Sequence, residues 1–533
     1  MVTSRGRAVD LGFAVAGVTL GLTSLGYPYG RDQGLYGYIG REWLAGNLPY
    51  KTAFDVKTPG IFFVNLVAFW LFGEHMWAIR ALELVAVVIP TGLLAGYAAT
   101  PRGERPRPGL LGLGVLAANI LYFGTLDFWN TAQCECWCGL FALAATTVAL
   151  RSSAEGARGA SFAVGLLAGL ALVFKPPCLW LVAVPCALQL VRAANAGGSR
   201  LRLAARAALC LVLGGALPVL VLLAYFAQAG ALLDMYTVYA VMSRHYVVAG
   251  RSVHSLREGI SAYVGGTLLF KAYLAPLLTA AVVGLAAARS RGDGQTASRY
   301  ATCLACMLGG SLMVVAQLKF FMYHWGAMSG VLAFTLTTVT ADLSERRAAR
   351  LAEGALERRV VLAVGIALVS AFVFSGVQAS RSALVARRAY YAWKDGDSRP
   401  LDELFIIPWF YSWPETKEVA DYLSEVSRPG DIVAVRGFEP QIYIACRRRY
   451  GGRFFWTTFL TDRRYHPDPE ALLGEDLAAF KASPPRFVVA NDFVHEGVAA
   501  AEPYERIGYV RMATLQNYVV LERGEHLDFS VPW

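Results

Sequence analysis

Eleven stretches of this 533-residue chain are apolar over lengths close to the ~20 residues that an α-helix needs to cross a bilayer. They cover residues 11–25, 77–97, 109–125, 132–150, 160–174, 178–190, 205–227, 262–288, 301–316, 325–341 and 360–377. A hydrocarbon core offers no water to backbone groups, so each such run must satisfy its own as a helix. Composition agrees: 56% of residues are hydrophobic and 17% charged, with a mean hydropathy of +0.43. These values exclude an ordinary soluble globular chain. The expected fold class is a polytopic α-helical membrane protein.

Charge orders the runs. A further run, residues 61–72, is short for a span and suits an interfacial or re-entrant helix. If it lies at the surface, the arginine-rich loops all fall on one face: Arg5 and Arg7; Arg102, Arg105 and Arg107; Arg151 and Arg158; Arg192, Arg200, Arg202 and Arg206; Arg289, Arg291 and Arg299; Arg346, Arg347, Arg350, Arg358 and Arg359. Positive-inside topology makes that face cytoplasmic. The net charge of +10 is then accounted for without nucleic acid, for which no basic patch with a folded reader is present. The basic first residues and an apolar run without an A-x-A exit predict a retained first helix with a cytoplasmic N-terminus.

The other charges of the apolar half sort to the opposite face: Asp32, Asp55, Lys57, Asp127, Glu135, Lys175 and Lys319. Residues 30–60 are the densest part, a polar and aromatic island between the first two apolar runs. It holds Arg31, Asp32, Arg41, Glu42, Lys51, Asp55 and Lys57 with Tyr36, Tyr38 and Tyr50. A solvated loop with incidental charges is the bland reading. Charges beside a bilayer are costly unless paired or functional, and their shared face points to one outward site built from several loops. Arg80 and Glu83, at i and i+3 on one helix, read as neutralising each other.

Nine cysteines show no framework. Cys134, Cys136 and Cys138 alternate along a helix and point different ways, unlike the C-x-x-C pairs of zinc sites. From about residue 379 the composition turns soluble. A capping box, Ser412 with Glu415, opens a helix over 413–426. A strand from Asp431, a short helix near Gln441, a strand over 453–459, a helix over 467–482, a strand over 486–490 and a closing hairpin or paired edge strands over 509–523 follow. This alternation predicts a small α/β domain with a largely parallel sheet. No Gly-rich phosphate loop follows its first strand, so no nucleotide is expected. Arg447, Arg448 and Arg449 read as a solvated run, and the loop with Tyr236, Arg244, His245 and Tyr246 as solvent-facing. The expected domains are 1–378, with residues 27–75 as a first outward loop with juxtamembrane helices, and 379–533.

Chemistry follows from residue type. Lys57, Lys175, Lys319 and His324 suit an anionic head group such as a lipid phosphate. Asp32 and Glu135 are carboxylates suited to general-base work or to holding a metal. Tyr36, Tyr38, Trp43, Tyr323 and Trp325 suit sugar stacking or interfacial anchoring. An apolar bundle with an external acid/base cluster and phosphate donors fits glycosyl transfer from a lipid-phosphate sugar, whose tail stays in the bilayer while the sugar meets its acceptor in water.

The segment from Gly30 to Val85 resembles the signature of bacterial GT-C glycosyltransferases of the family 39 kind, the group similar to protein O-mannosyltransferases and lipid A aminoarabinose transferases. The family's acidic pair, following Tyr, Lys-Pro-Pro, Phe-Gly and Arg-Leu read here as Asp32-Gln33, Tyr36, Lys57-Thr58-Pro59, Phe72-Gly73 and Arg80-Ala81. The likeness runs on more weakly through Glu135, FKPP at Lys175 and KFFMYHWG at Lys319. It implies a GT-C bundle, a polyprenyl-phosphate sugar donor, a lipid, glycan or protein acceptor, and inverting transfer outside the cytoplasm of a bacterial inner membrane. By this resemblance Asp32 is the base or acceptor-orienting carboxylate, and Lys57 binds the donor phosphate with Lys175, Lys319, Tyr323 and His324. Asp127, Gln133 and Glu135 compete for the second acidic motif, and Glu135 is favoured as the second catalytic carboxylate. Tyr36, Asp55 and Gln133 are placed with the substrate. Gln33 stands where the family has a second acid, so no cofactor is expected and a divalent metal is not favoured. The competing function is a transporter or flippase of lipid-linked saccharides, but no span carries the mid-membrane charges that coupled transport uses. A non-catalytic assembly protein is a third reading.

Overall fold

The computed structural model describes residues 4–152, 157–195, 199–249, 254–266, 268–348, 381–461, 468–491 and 497–531. Among them, eight helices are long and apolar enough to cross a membrane: Gly6–Gly26, Met76–Ala98, Cys134–Arg151, Pro176–Ala194, Arg200–Gln228, Tyr273–Ser290, Gly294–Val315 and Met322–Arg346. Two more expected runs form the shorter apolar helices Leu110–Phe123 and Arg158–Phe174. The expected run 360–377 lies outside the described residues. The chain is a multi-pass membrane protein.

The chain divides into two compact units. One comprises Met1–Ser24, Arg80–Ala224 and Ser252–Leu384, the other Leu25–Ile79, Tyr225–Arg251 and Val385–Trp533. This division differs from the single cut expected at residue 379, because the polar island packs with the C-terminal residues.

The first unit is a helical bundle packed through small residues. A Cβ placed on Gly92 would lie 2.4 Å from the Val115 Cα, and one on Gly114 would lie 2.1 Å from the Gly92 carbonyl oxygen. Helices Ile89–Ala98 and Leu110–Phe123 therefore meet backbone to backbone, the close approach that membrane helices use where lipid supplies no hydrophobic drive. A π-helical turn, Leu84–Val88, follows Glu83 in the same span.

In the second unit, helices Arg31–Leu44 and Pro59–Phe72 pack on each other. Pro59 sits in the first turn, where its missing N–H costs nothing. The island is thus helical over half its length and mostly buried. Its aromatic and guanidinium groups face the C-terminal chain. The Tyr38 ring stacks on Phe455 at 4.0 Å between centroids, and Arg41 donates to the carbonyls of Tyr443 and Arg448 at 3.1 and 2.7 Å.

The C-terminal residues carry a two-stranded ribbon, β1 (Ile406–Ile407) with β2 (Tyr411–Ser412), and a four-stranded sheet. The sheet comprises β3 (Val433–Arg436), β4 (Phe487–Ala490), β5 (Tyr509–Leu515) and β6 (Tyr518–Arg523), in the order β3-β4-β6-β5. The expected helix Trp413–Val426 forms, with the Glu415 N–H donating to the Ser412 hydroxyl.

Three expectations are corrected. The sheet is mixed: β3 and β4 are parallel, but β6 runs antiparallel to both β4 and β5. The closing hairpin inserts its second strand beside β4, which spacing along the chain does not reveal. Residues 453–459 form no strand. Phe454, Phe455 and Trp456 are all buried, the Trp456 indole donates to the Phe54 carbonyl at 3.1 Å, and Thr457 exchanges hydrogen bonds with Gly437. Side chains needed on every side cannot alternate as a strand requires. Finally, Arg447–Arg449 is solvated only in part: Arg447 and Arg449 are exposed, the latter pairing with Glu42 at 2.8 Å, but Arg448 is buried, donating to the Ser427 hydroxyl and carbonyl at 2.8 Å.

Candidate functional site

The second unit holds Asp32, Tyr36, Asp55 and Lys57. Gly30 enters helix Arg31–Leu44 extended and gives no side-chain cap, so the first-turn N–H groups favour a carboxylate, and Asp32 stands in that turn. Its predecessor Arg31 is buried and donates to Glu439 at 2.9 and 2.5 Å and to the Phe410 carbonyl at 2.8 Å. Tyr36, one turn on, is fully buried with its ring 6.2 Å from Phe62.

The loop carrying Asp55 and Lys57 is pinned from several sides. Tyr50, at a left-handed φ of 69°, donates its N–H to the Ala53 carbonyl at 2.8 Å and its hydroxyl to the Lys57 carbonyl at 2.7 Å. The Phe54 N–H donates to the Arg453 carbonyl, and Ser243 donates to the Val56 carbonyl at 3.2 Å. Asp55 is 2% exposed. Its Oδ1 accepts from the Val56 N–H at 2.7 Å, while its Oδ2 is buried with no hydrogen-bond partner among the described residues. Burial pushes the Asp55 carboxyl up to about 7; Lys57 opposes this and the Asp32 carboxylate adds to it. Asp32 and Asp55 therefore lie within electrostatic reach of each other.

The first unit holds Gln133, Glu135, Lys175, Lys319, Tyr323 and His324. Gln133 is the extended, buried residue preceding helix Cys134–Arg151, and Glu135 is in its first turn. Lys175 stands where two prolines end helix Ala157–Phe174. Its ammonium pairs with the buried Glu135 carboxylate and lies 5.4 Å from the centre of the Tyr323 ring. Tyr323 meets His324 edge-on at 4.7 Å. Lys319 is buried between Leu318 and Phe320, both left-handed at φ 54° and 52°. Two non-glycine residues so strained in one turn mark a place where the fold holds a side chain at an energetic cost. Glu135, Lys175, Tyr323 and His324 are thus brought together, with Gln133 and Lys319 close to them along the chain.

Asp127, the other carboxylate competing for the second acidic motif, folds back on its own turn and accepts from the Trp129 and Asn130 N–H groups. Among the described residues no three His, Cys, Asp or Glu side chains converge as a metal-ligand set.

Three features were not legible beforehand. Arg80 donates to Thr131 and to the Phe128 carbonyl, and Glu83 accepts from the Ala132 N–H at 2.7 Å and the Tyr122 hydroxyl at 2.6 Å. Their i, i+3 spacing signalled a pair, but both shape the loop that leads to Glu135. Cys138 and Cys178 form a disulfide; at a separation of 40 positions and with no framework, spacing offered no clue.

No protein-family model matches the chain, and no curated protein matches it. Solved structures do. The crystal structure of ArnT from Cupriavidus metallidurans bound to undecaprenyl phosphate aligns with a TM-score of 0.54 over 97% of this chain and 98% of that one, at 15% identity. The apo structure of the same protein aligns at 0.55 over the same shares, at 16% identity. The chain has the ArnT fold. That is the GT-C architecture expected from the sequence, and at such identity the ArnT likeness speaks for fold alone.

Proposed function

We propose that the chain is a membrane glycosyltransferase that moves a monosaccharide from a polyprenyl-phosphate donor to a lipid, glycan or protein acceptor. The observation that supports this most is the Lys175 ammonium, held by Glu135 and Tyr323 in a fold shared with a protein crystallised with undecaprenyl phosphate. Asp32 takes the proton of the acceptor hydroxyl. The hydroxyl oxygen bonds to the anomeric carbon from the face opposite the phosphate, the carbon–oxygen bond to phosphate breaks, and its electron pair leaves with the lipid phosphate. The product is inverted. Lys57, Lys175, Lys319, Tyr323 and His324 serve the donor phosphate as its charge grows, the largest electrostatic demand of such a step. Glu135 orients Lys175, and Tyr36, Asp55 and Gln133 serve substrate binding.

The arginine-rich loops support a cytoplasmic N-terminus, and the reading puts the chain in a bacterial inner membrane. The Cys138–Cys178 disulfide supports the same sidedness, since its end of helix Cys134–Arg151 then meets an oxidising compartment. The test supplies radiolabelled polyprenyl-phosphate monosaccharides to membranes holding wild-type protein or Asp32→Asn, with product anomers assigned by NMR. Inverted product from wild type alone is expected. Donor left untouched by folded wild type overturns the reading, and equal turnover by Asp32→Asn removes Asp32 as base.

A further inference from the structure

Lys175 is tied to helix Cys134–Arg151 three times within one turn. Its ammonium pairs with Glu135, the preceding Phe174 ring stacks on Trp137 at 5.4 Å and 10°, and three residues on, Cys178 is bonded to Cys138. The offsets match on both sides: Cys138 follows Glu135 by three positions, and Cys178 follows Lys175 by three. Three residues is close to a helical turn, so on the helix the carboxylate and the sulfur lie on one face. On the other side the chain is stiff. Pro176 and Pro177 have fixed φ and no N–H, Lys175 is extended at φ −164° and ψ 115°, and the Cys178 N–H returns to the Lys175 carbonyl at 3.0 Å. A bond at Cys178 therefore fixes the direction in which Lys175 leaves the backbone. Both cysteines are fully buried, and the covalent link is the one tie of the three that thermal motion cannot open.

We propose that Cys138 and Cys178 are positioning residues: their disulfide holds the Lys175 ammonium at the place where it meets the phosphate of a polyprenyl-phosphate ligand. The proposal rests on the functional reading above. Lysine is a point charge on a long flexible stem, so its binding power depends on how far its position is pre-set. Glu135 alone draws the ammonium toward itself; with the backbone of Lys175 also fixed, the charge is shared with a phosphate on its other side. The chain binds its ligand well only when oxidised.

The experiment measures the dissociation constant for undecaprenyl phosphate, and donor KM and kcat where turnover is seen, on full-length wild type, Lys175→Ala, Cys138→Ala/Cys178→Ala and the triple variant. Loss of the disulfide is expected to weaken phosphate binding by about tenfold and to lower kcat/KM at least as much, because Lys175 also meets the charge that grows on the leaving phosphate. The triple variant is expected to match Lys175→Ala, because the cysteines act through the lysine. Unchanged binding in the cysteine variant overturns the proposal, and so do losses that multiply in the triple variant, the mark of a merely structural bond. If the double variant does not fold, each single alanine variant and Cys138→Ser/Cys178→Ser replace it. Wild type that binds no polyprenyl phosphate sinks the functional reading and this one together, whereas binding indifferent to the disulfide sinks this one alone.

Discussion

Arg31 and Glu439 form a buried ion pair, with donor–acceptor distances of 2.9 and 2.5 Å, between the residue preceding Asp32 and the segment that follows β3. The guanidinium also lies 4.8 Å from the centre of the Phe410 ring. Both side chains are 2% exposed. Removing one partner of such a pair leaves the other charge buried and alone, at a cost of about 3–5 kcal/mol, whereas exchanging both for apolar groups of similar volume is often close to neutral. Arg31→Ala and Glu439→Leu are each expected to lower the thermal midpoint sharply in detergent, and Arg31→Met/Glu439→Leu to recover most of the loss. Single and double variants that unfold together would show that the pair contributes little.

Asp55 makes stability depend on pH in the direction opposite to a paired carboxylate. Burial raises its folded-state value to about 7 from the usual 3.8. Below about pH 4 both folded and unfolded chains hold the proton. Between about 4 and about 7 the unfolded chain releases it while the fold keeps it, so stability falls as pH rises, by an amount on the order of 4 kcal/mol, and the full cost stands above about 7. Asp55→Asn is expected to flatten that part of the melting-temperature profile, with the largest gain over wild type above neutrality. Parallel profiles for the two proteins would remove Asp55 as the source.

Gly34 brings the island backbone directly against the C-terminal residues. A Cβ there would lie 2.4 Å from the Gln441 nitrogen and 2.8 Å from its Cα. These are backbone atoms of helix Gln441–Ala445 and cannot rotate aside. Gly34→Ala is expected to cost about 1–3 kcal/mol despite alanine's better helix propensity. A variant that melts at or above the wild-type temperature would mean that this contact is loose.

Glu83 carries the loop before Glu135. It accepts from Ala132, a residue at a left-handed φ of 55°, and from Tyr122. Glu83→Leu leaves that N–H and hydroxyl buried without their acceptor, each at about 1–3 kcal/mol. Glu83→Gln, which keeps an acceptor oxygen, is expected to lose less. Equal melting temperatures for the two variants would show that the carboxylate charge, and not its acceptor role, is what the loop needs.

What the sequence determined by itself is local. Runs of bilayer length predicted the spans, and Ser412 with Glu415 predicted where helix Trp413–Val426 starts. In each case the decisive interaction lies within a few residues along the chain, so periodicity and capping chemistry carry it. Candidate residues were legible for the same reason: a charge beside an apolar run stands out whatever it touches. Only the tertiary structure decided what those charges meet. Lys175 is joined to Glu135 across 40 residues and Arg31 to Glu439 across 408. Likewise β6 lies between β4 and β5, residues 453–459 serve Phe54 and Gly437 instead of a sheet, and Cys138 finds Cys178. Such pairings are chosen by burial and by the need to satisfy each buried polar group, and those demands exist only once distant segments share one interior.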